Sequence, residues 1–130
     1  MIRFIKSRIV SFANAFTGLK DILSTEHNAL VHAVCTLIVL LLSCWLALSS
    51  VEFILILMVI ALVWITEAFN TVLEIVIDIA SPEYCEAARR AKDIAAAGVL
   101  FAALLALAAG LFILLPHVIN KLYAGFATAT

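Results

Sequence analysis

Apolar residues at Ile2, Ile5, Ile9, Phe12, Phe16, Leu19 and Leu23 recur at spacings of three and four, which aligns them on one stripe of a helix. Lys6, Ser7, Ser11, Asn14, Thr17 and Asp21 fall on the opposite face. The pattern predicts an amphipathic helix over residues 1–25. With basic residues beside the stripe, it is expected either to lie along a membrane surface or to pack on the protein's own cytoplasmic side.

The period then disappears. From His27 to Val51 no Asp, Glu, Lys or Arg occurs, and the run ALVHAVCTLIVLLLSCWLAL can cross a hydrocarbon core of about 30 Å at 1.5 Å per residue. This predicts a first span over 29–48. Ser49, Ser50, Val51 and Glu52 make a short polar turn, and a second span follows over 53–79. Residues 80–93 contain Pro82, Glu83, Glu86, Arg89, Arg90 and Lys92 and read as a cytoplasmic loop, with helix resuming near Glu83 under a Ser81 cap. A third span is expected over 94–115, ended by Pro116 and His117, with a frayed tail to Thr130. Gly98, Ala102, Ala106 and Gly110 step along it at intervals of four, a face on which helices can approach closely.

Composition makes this a membrane protein: 66% of the 130 residues are hydrophobic and the mean hydropathy is +1.22. The fold class expected is all-α and integral to the membrane, an N-terminal surface helix plus three transmembrane helices in a single domain. The net charge of -1 matters less than its distribution. Arg3, Lys6, Arg8, Lys20, Arg89, Arg90 and Lys92 flank one side and only Lys121 the other. The positive-inside rule puts the N-terminus and the 80–93 loop in the cytoplasm.

Several classes fall away. No water-soluble basic surface exists for nucleic acid. Cys35, Cys44 and Cys85 are odd in number and lack CxxC spacing, which implies neither a disulfide framework nor a metal cluster. The first 25 residues have no continuous apolar stretch followed by a small-residue cleavage site.

The chemistry concentrates in TEAFNTVLEIVID. Glu67, Asn70, Glu74 and Asp78 point within about 80° of one another over roughly 16 Å of helix, joined by Thr71. Each carboxylate facing lipid would cost about 2.5 to 3.5 kcal/mol at the bilayer centre. The stripe must therefore face protein, cations or water, and with only three spans to cover it a homo-oligomer is expected. Hard oxygen ligands at a helix end suit Mg²⁺, which takes one or two carboxylates plus substrate phosphates. Arg89, Arg90, Lys92 and Asp93 enter the third span at the same depth and supply cations for a phosphate chain. Glu26, Asn28 and His32 reach that depth from the first span. In an unbroken helix Glu26 would lie about 160° from Asn28, so a bend is expected if all three serve one site.

TEHNALVH (25–32), EAFNTVLEIVID (67–78) and ARRAKDIAAAG (88–98), in this order and spacing, resemble the prokaryotic diacylglycerol kinase family, which also contains undecaprenol kinases. The resemblance covers nearly the whole chain. It implies a homotrimer in the inner (cytoplasmic) membrane of a bacterium, with active sites shared between neighbours at the cytoplasmic edge. It implies transfer of the γ-phosphoryl group of ATP to the hydroxyl of diacylglycerol, giving phosphatidic acid. By carry-over, Glu67 is the general base, Glu26 and Glu74 are the Mg²⁺ ligands, and Asn70 orients the reacting groups. Lys92 holds the phosphates, Asp93 helps bind nucleotide, and Asp78 supports the site. Val10 departs from the family, which often carries Lys there; Lys6 or Arg8 is the replacement expected.

Two rivals stand beside this reading. Undecaprenol kinase keeps the chemistry, and TEHNALVH, with His32 six residues after Glu26, resembles that branch. A small proton-coupled transporter would use Glu67 or Glu74 as its carrier, but the acids trail toward one face and meet Lys92 there. No GxxxxGK[ST] or GxGxxG occurs, which excludes those nucleotide sites and not ATP use.

Overall fold

The computed structural model describes residues 1–127, so the last part of the expected frayed tail, 128–130, lies outside the described residues, as do the side chains of Ile2, Phe126 and Ala127. Four helices follow one another: α1 (Ile2–Thr25), α2 (His27–Leu46), α3 (Ser50–Ala80) and α4 (Glu86–Ala127). The last three are long and apolar enough to cross a membrane, and the chain is a multi-pass membrane protein.

α1 keeps its stripe uncovered. Ile5, Ile9, Phe12, Phe16, Leu19 and Leu23 are all exposed, so a single subunit does not bury this face against its own helices. The helix stops at Glu26, whose extended backbone (φ -100°, ψ 116°) supplies the expected break before α2.

The turn between α2 and α3 is built from two local devices. Ala47 takes a left-handed conformation (φ 54°, ψ 50°), and its N–H and that of Leu48 donate to the Cys44 and Ser43 carbonyls. Ser49 then caps α3 in a capping box, its Oγ accepting from the Glu52 amide while the Glu52 carboxylate accepts from the Ser49 amide. The polar turn read from the sequence is thus a helix start.

Helix lengths fix depth. α2, with 20 residues, is about 30 Å long and α3, with 31, about 46 Å. Running antiparallel from a shared turn, α3 outreaches α2 by roughly 16 Å, so residues 70–80 project past the start of α2. α3 buries Ile56, Val63, Glu67, Asn70 and Thr71, one stripe at helical spacing. It faces α4, its closely packed partner, while α2 lies more loosely on both. Leu46, Ile56 and Leu114 form the apolar centre near the turn.

α4 corrects three expectations. It starts at Glu86, not near Glu83, and Ser81 instead closes α3, its Oγ donating to the Glu83 carbonyl. It also runs through Pro116 and His117 to Ala127. Proline forfeits one N–H and disturbs one carbonyl, a local loss that a helix held by packing and side-chain ties can absorb. Ties exist: His117 Nε2 meets Glu52 Oε1 at 2.9 Å, and Lys121 donates to the Trp45 carbonyl and lies over its ring. In the small-residue stripe, Ala102 is buried, but a Cβ added at Gly98 or Gly110 would meet nothing within 4 Å. Those glycines do not mark close approach within one subunit.

Candidate active site

Depth brings α2 and α3 into register at the end away from their shared turn. His32 and Glu67 lie about 21 and 25 Å along their helices from the shared turn. His32 Nε2 and Glu67 Oε2 accordingly stand 3.8 Å apart. The gap exceeds a hydrogen bond, and both atoms are buried without a partner. Glu67 is 1% exposed and His32, at its side chain, 16%. A single three-span chain therefore does hide the first acid of the stripe, which sequence reasoning left to neighbouring subunits.

The stripe opens outward from there. Asn70 is buried; its Nδ2 donates to Glu74 Oε1 at 3.1 Å, and its Oδ1 has no partner. Thr71 is buried too, its hydroxyl returned to the Glu67 carbonyl. Glu74 is half-buried, and Asp78, farthest out, is exposed and holds Lys92 Nζ at 2.5 Å. Glu26 is half-buried at the α1–α2 break, where it and Glu74 both act on Glu67 electrostatically. Asn28 is exposed on the first turn of α2.

The basic residues are engaged differently from expectation. Arg89 reaches back to Glu86 at 2.6 Å and forward to Asp93 at 2.5 Å along its own helix. Arg90 is exposed. Arg8 is exposed on α1, 5.4 Å from the Phe4 ring centroid, and forms no ion pair among the described residues. Lys92 alone of the expected phosphate ligands is fixed to the stripe itself, through Asp78. Cys85 immediately precedes α4. Its thiol is held below the ordinary value by the backbone N–H groups of Ala88 and Ala87.

Among the described residues no three His, Cys, Asp or Glu side chains converge as a ready metal cluster. The donor set nonetheless fits a hard cation. Unpartnered Glu67 and Asn70 oxygens beside Glu74 and Glu26 offer oxygen ligands, and Mg²⁺ needs only one or two carboxylates when phosphates and water complete its shell.

Sequence reasoning missed an apolar groove of about 440 Å³ between α2, α3 and α4, running from His32 toward Leu114 and Val118. It also missed the Trp64 indole, which donates to Thr36 Oγ1 at 3.1 Å in the groove wall. The only advance signal was the uninterrupted apolar character of the three facing helices.

Comparison with known proteins bears directly on this geometry. A family model described as prokaryotic diacylglycerol kinase matches residues 13–114. A diacylglycerol kinase of Synechocystis sp. is 34% identical over 113 residues, 86% of this chain and 65% of that protein, so the chain spans just under two thirds of that relative. A diacylglycerol kinase of Escherichia coli K12 is 30% identical over 112 residues, 85% of this chain and 92% of its own length. An undecaprenol kinase of Bacillus subtilis is 32% identical over 114 residues, 88% of this chain and 89% of its own.

Proposed function

We propose a reaction from one premise: this chain belongs to the prokaryotic diacylglycerol kinase family and is a lipid kinase. Its donor is ATP, its acceptor the free hydroxyl of diacylglycerol, and its product phosphatidic acid. The observation that carries the reading is Glu67, a carboxyl buried at the membrane edge with one oxygen unpartnered. A lipid alcohol travels in the bilayer, so a general base must wait at that depth.

Glu67 takes the hydroxyl proton as the lipid oxygen bonds to the γ-phosphorus. The opposite bond breaks, and its electron pair leaves on the β-phosphate oxygen of ADP. Asn70 orients the reacting groups and steadies Glu74. Lys92, Arg89 and Arg90 balance the phosphate charge, with Arg8 reaching in from α1, and Asp93 helps seat the nucleotide. Asp78 positions Lys92. Exposed ion pairs are worth only about 1 kcal/mol or less, so exchanging those of Arg89 for phosphate contacts costs little. Glu26 and Glu74 would hold Mg²⁺, which when bound neutralises charge on the phosphates. Asn28 and His32 complete the rim. The assembly is a homotrimer in a bacterial inner membrane, with sites at the cytoplasmic edge where subunits meet. Residues 1–130 act as one membrane-embedded kinase domain.

One observation favours undecaprenol as the acceptor instead. Among groove-lining residues only His32, Cys35 and Thr36 have polar side chains, and Thr36 already serves Trp64. A polyprenol has no ester carbonyls to satisfy. Assaying the purified protein against both alcohols separates the two, and turnover of neither would end both. Replacing Glu67→Gln should lower turnover by about 10²-fold or more while leaving nucleotide affinity intact; retained turnover would remove Glu67 as the base.

A further inference from the structure

The candidate site is assembled from separate helices. Glu67 and Glu74 stand on α3, whereas His32 stands on α2 and Glu26 on the break that precedes it. Their alignment depends on how α2 lies against α3. Lipid gives two helices no hydrophobic reason to associate, so packing and interhelical hydrogen bonds must hold them. Near the turn α2 is anchored: Leu46 joins Ile56 and Leu114 in the apolar centre, and Lys121 donates to the Trp45 carbonyl. Toward the site the anchors thin out. Ala29 is buried there, but a methyl group sets how closely helices approach rather than their register. His32 and Glu67, 3.8 Å apart, share no hydrogen bond.

Among the described residues one side-chain hydrogen bond joins α2 to α3: Trp64 Nε1 donates to Thr36 Oγ1 at 3.1 Å, in partly buried surroundings. A buried indole usually finds some partner. Its place gives this one a role. Thr36 lies four residues from His32 and Trp64 three from Glu67, so the bond sits on the same seam as the site, one turn closer to the α2–α3 turn. It is the last fixed point before the site. Without it, a tilt of α2 by about 3° at the turn moves His32, about 21 Å away, by about 1 Å, and a misplacement of that size can cost about 10²-fold in rate. We infer that Thr36 and Trp64 are positioning residues for phosphoryl transfer: their hydrogen bond sets the depth and rotation of α2 against α3, and so holds Glu26 and His32 in line with Glu67 and Glu74. The inference rests on the kinase reading and adds two residues that act through others. Lys92 is fixed to α3 through Asp78, independently of α2, so nucleotide binding is spared when the bond is lost.

The experiment uses the full-length protein in mixed micelles and compares Thr36→Val, Trp64→Phe, the double variant and Thr36→Ser, with acceptor and ATP varied separately. Thr36→Val and Trp64→Phe should each lower kcat by about threefold to tenfold, the range one hydrogen bond between membrane helices spans, with KM for ATP unchanged. The double variant should fall no further than the weaker single one, because both remove the same bond. Thr36→Ser, which keeps the hydroxyl, should restore most of the rate. A second readout does not depend on turnover. The chain has two tryptophans, and Trp64→Phe identifies the Trp64 indole N–H resonance by removing it; Thr36→Val should shift that resonance and Thr36→Ser should leave it in place. Wild-type kcat in both single variants overturns the inference, as do losses that multiply in the double variant, a loss that serine fails to rescue, or an indole resonance that Thr36→Val does not move. A lowered thermal midpoint with unchanged kcat overturns it too, since the bond would then only brace the fold. If Trp64→Phe does not assemble, the valine and serine variants of Thr36 decide by rate. Failure of the kinase reading looks different: wild-type protein inactive on both alcohols, or Glu67→Gln fully active.

Discussion

Glu67 is a residue whose placement opposes stability. It is buried at 1% exposure, with His32 out of hydrogen-bond range and one oxygen unpartnered. Replacing a buried ionisable group by an apolar one of similar size often stabilises by about 1 to 4 kcal/mol. Glu67→Met should therefore raise the midpoint of thermal unfolding in detergent while abolishing phosphoryl transfer; a lowered midpoint would mean the carboxyl is satisfied in the assembled protein. The spacing of Glu67, Asn70, Glu74 and Asp78 made their shared face legible, because a helix converts sequence interval into direction. Their partners were not legible in the same way. His32 meets Glu67 and Lys92 meets Asp78 only once two helices are aligned in depth. The Arg89 contacts to Glu86 and Asp93, by contrast, follow from intervals of three and four and could have been read directly. Cys85 gives a test outside the spans. Because the Ala88 and Ala87 amides favour its thiolate, its rate of alkylation should climb with a midpoint below the ordinary thiol value and level off above it. A midpoint at or above the ordinary value would show that α4 does not begin at Glu86.

Elements were read well where hydrophobic length decided them and poorly where one residue did. Three apolar runs became α2, α3 and α4 because a helix satisfies its own backbone in lipid. The misreadings fall at helix ends. Pro82 and Ser81 resembled a start, yet the helix waits until Glu86; Pro116 resembled a stop, yet α4 continues, tied by His117 to Glu52 and by Lys121 to Trp45. Those ties join residues far apart in the chain, and no local rule exposes them. The α2–α3 turn offers two opposed tests. Ala47 occupies a left-handed conformation that costs an L-residue about 1 kcal/mol, so Ala47→Gly should stabilise by up to that amount. Ser49→Ala removes the cap of α3 and should destabilise by about 0.5 to 2 kcal/mol. Both are read from the denaturant midpoint in mixed micelles. Equal midpoints for the two variants would mean that the turn is not formed as described.

At the scale of the whole molecule, charge and length act together. α4 has 42 residues and is about 63 Å long, twice the hydrocarbon thickness, so both of its ends must leave the core. One end carries Arg89, Arg90 and Lys92 beside the stripe; the other carries His117 and Lys121 beside the α2–α3 turn. We propose, from the excess of basic residues, that the first end faces the cytoplasm, which holds ATP. α1 joins at that end with its apolar stripe uncovered in the single subunit, in the manner of a helix resting on a membrane surface. Cys85 reports the orientation without any foreign tag, since it lies in the exposed connection between α3 and α4, whereas Cys35 and Cys44 lie within α2. A membrane-impermeant maleimide should label Cys85 in inverted vesicles and leave it unmodified in right-side-out ones, with Cys35→Ser and Cys44→Ser making the signal unambiguous. Labelling from the outer face would strand Glu67, Glu74 and Lys92 on the side without nucleotide, and no arrangement of the same residues could then phosphorylate a lipid from ATP.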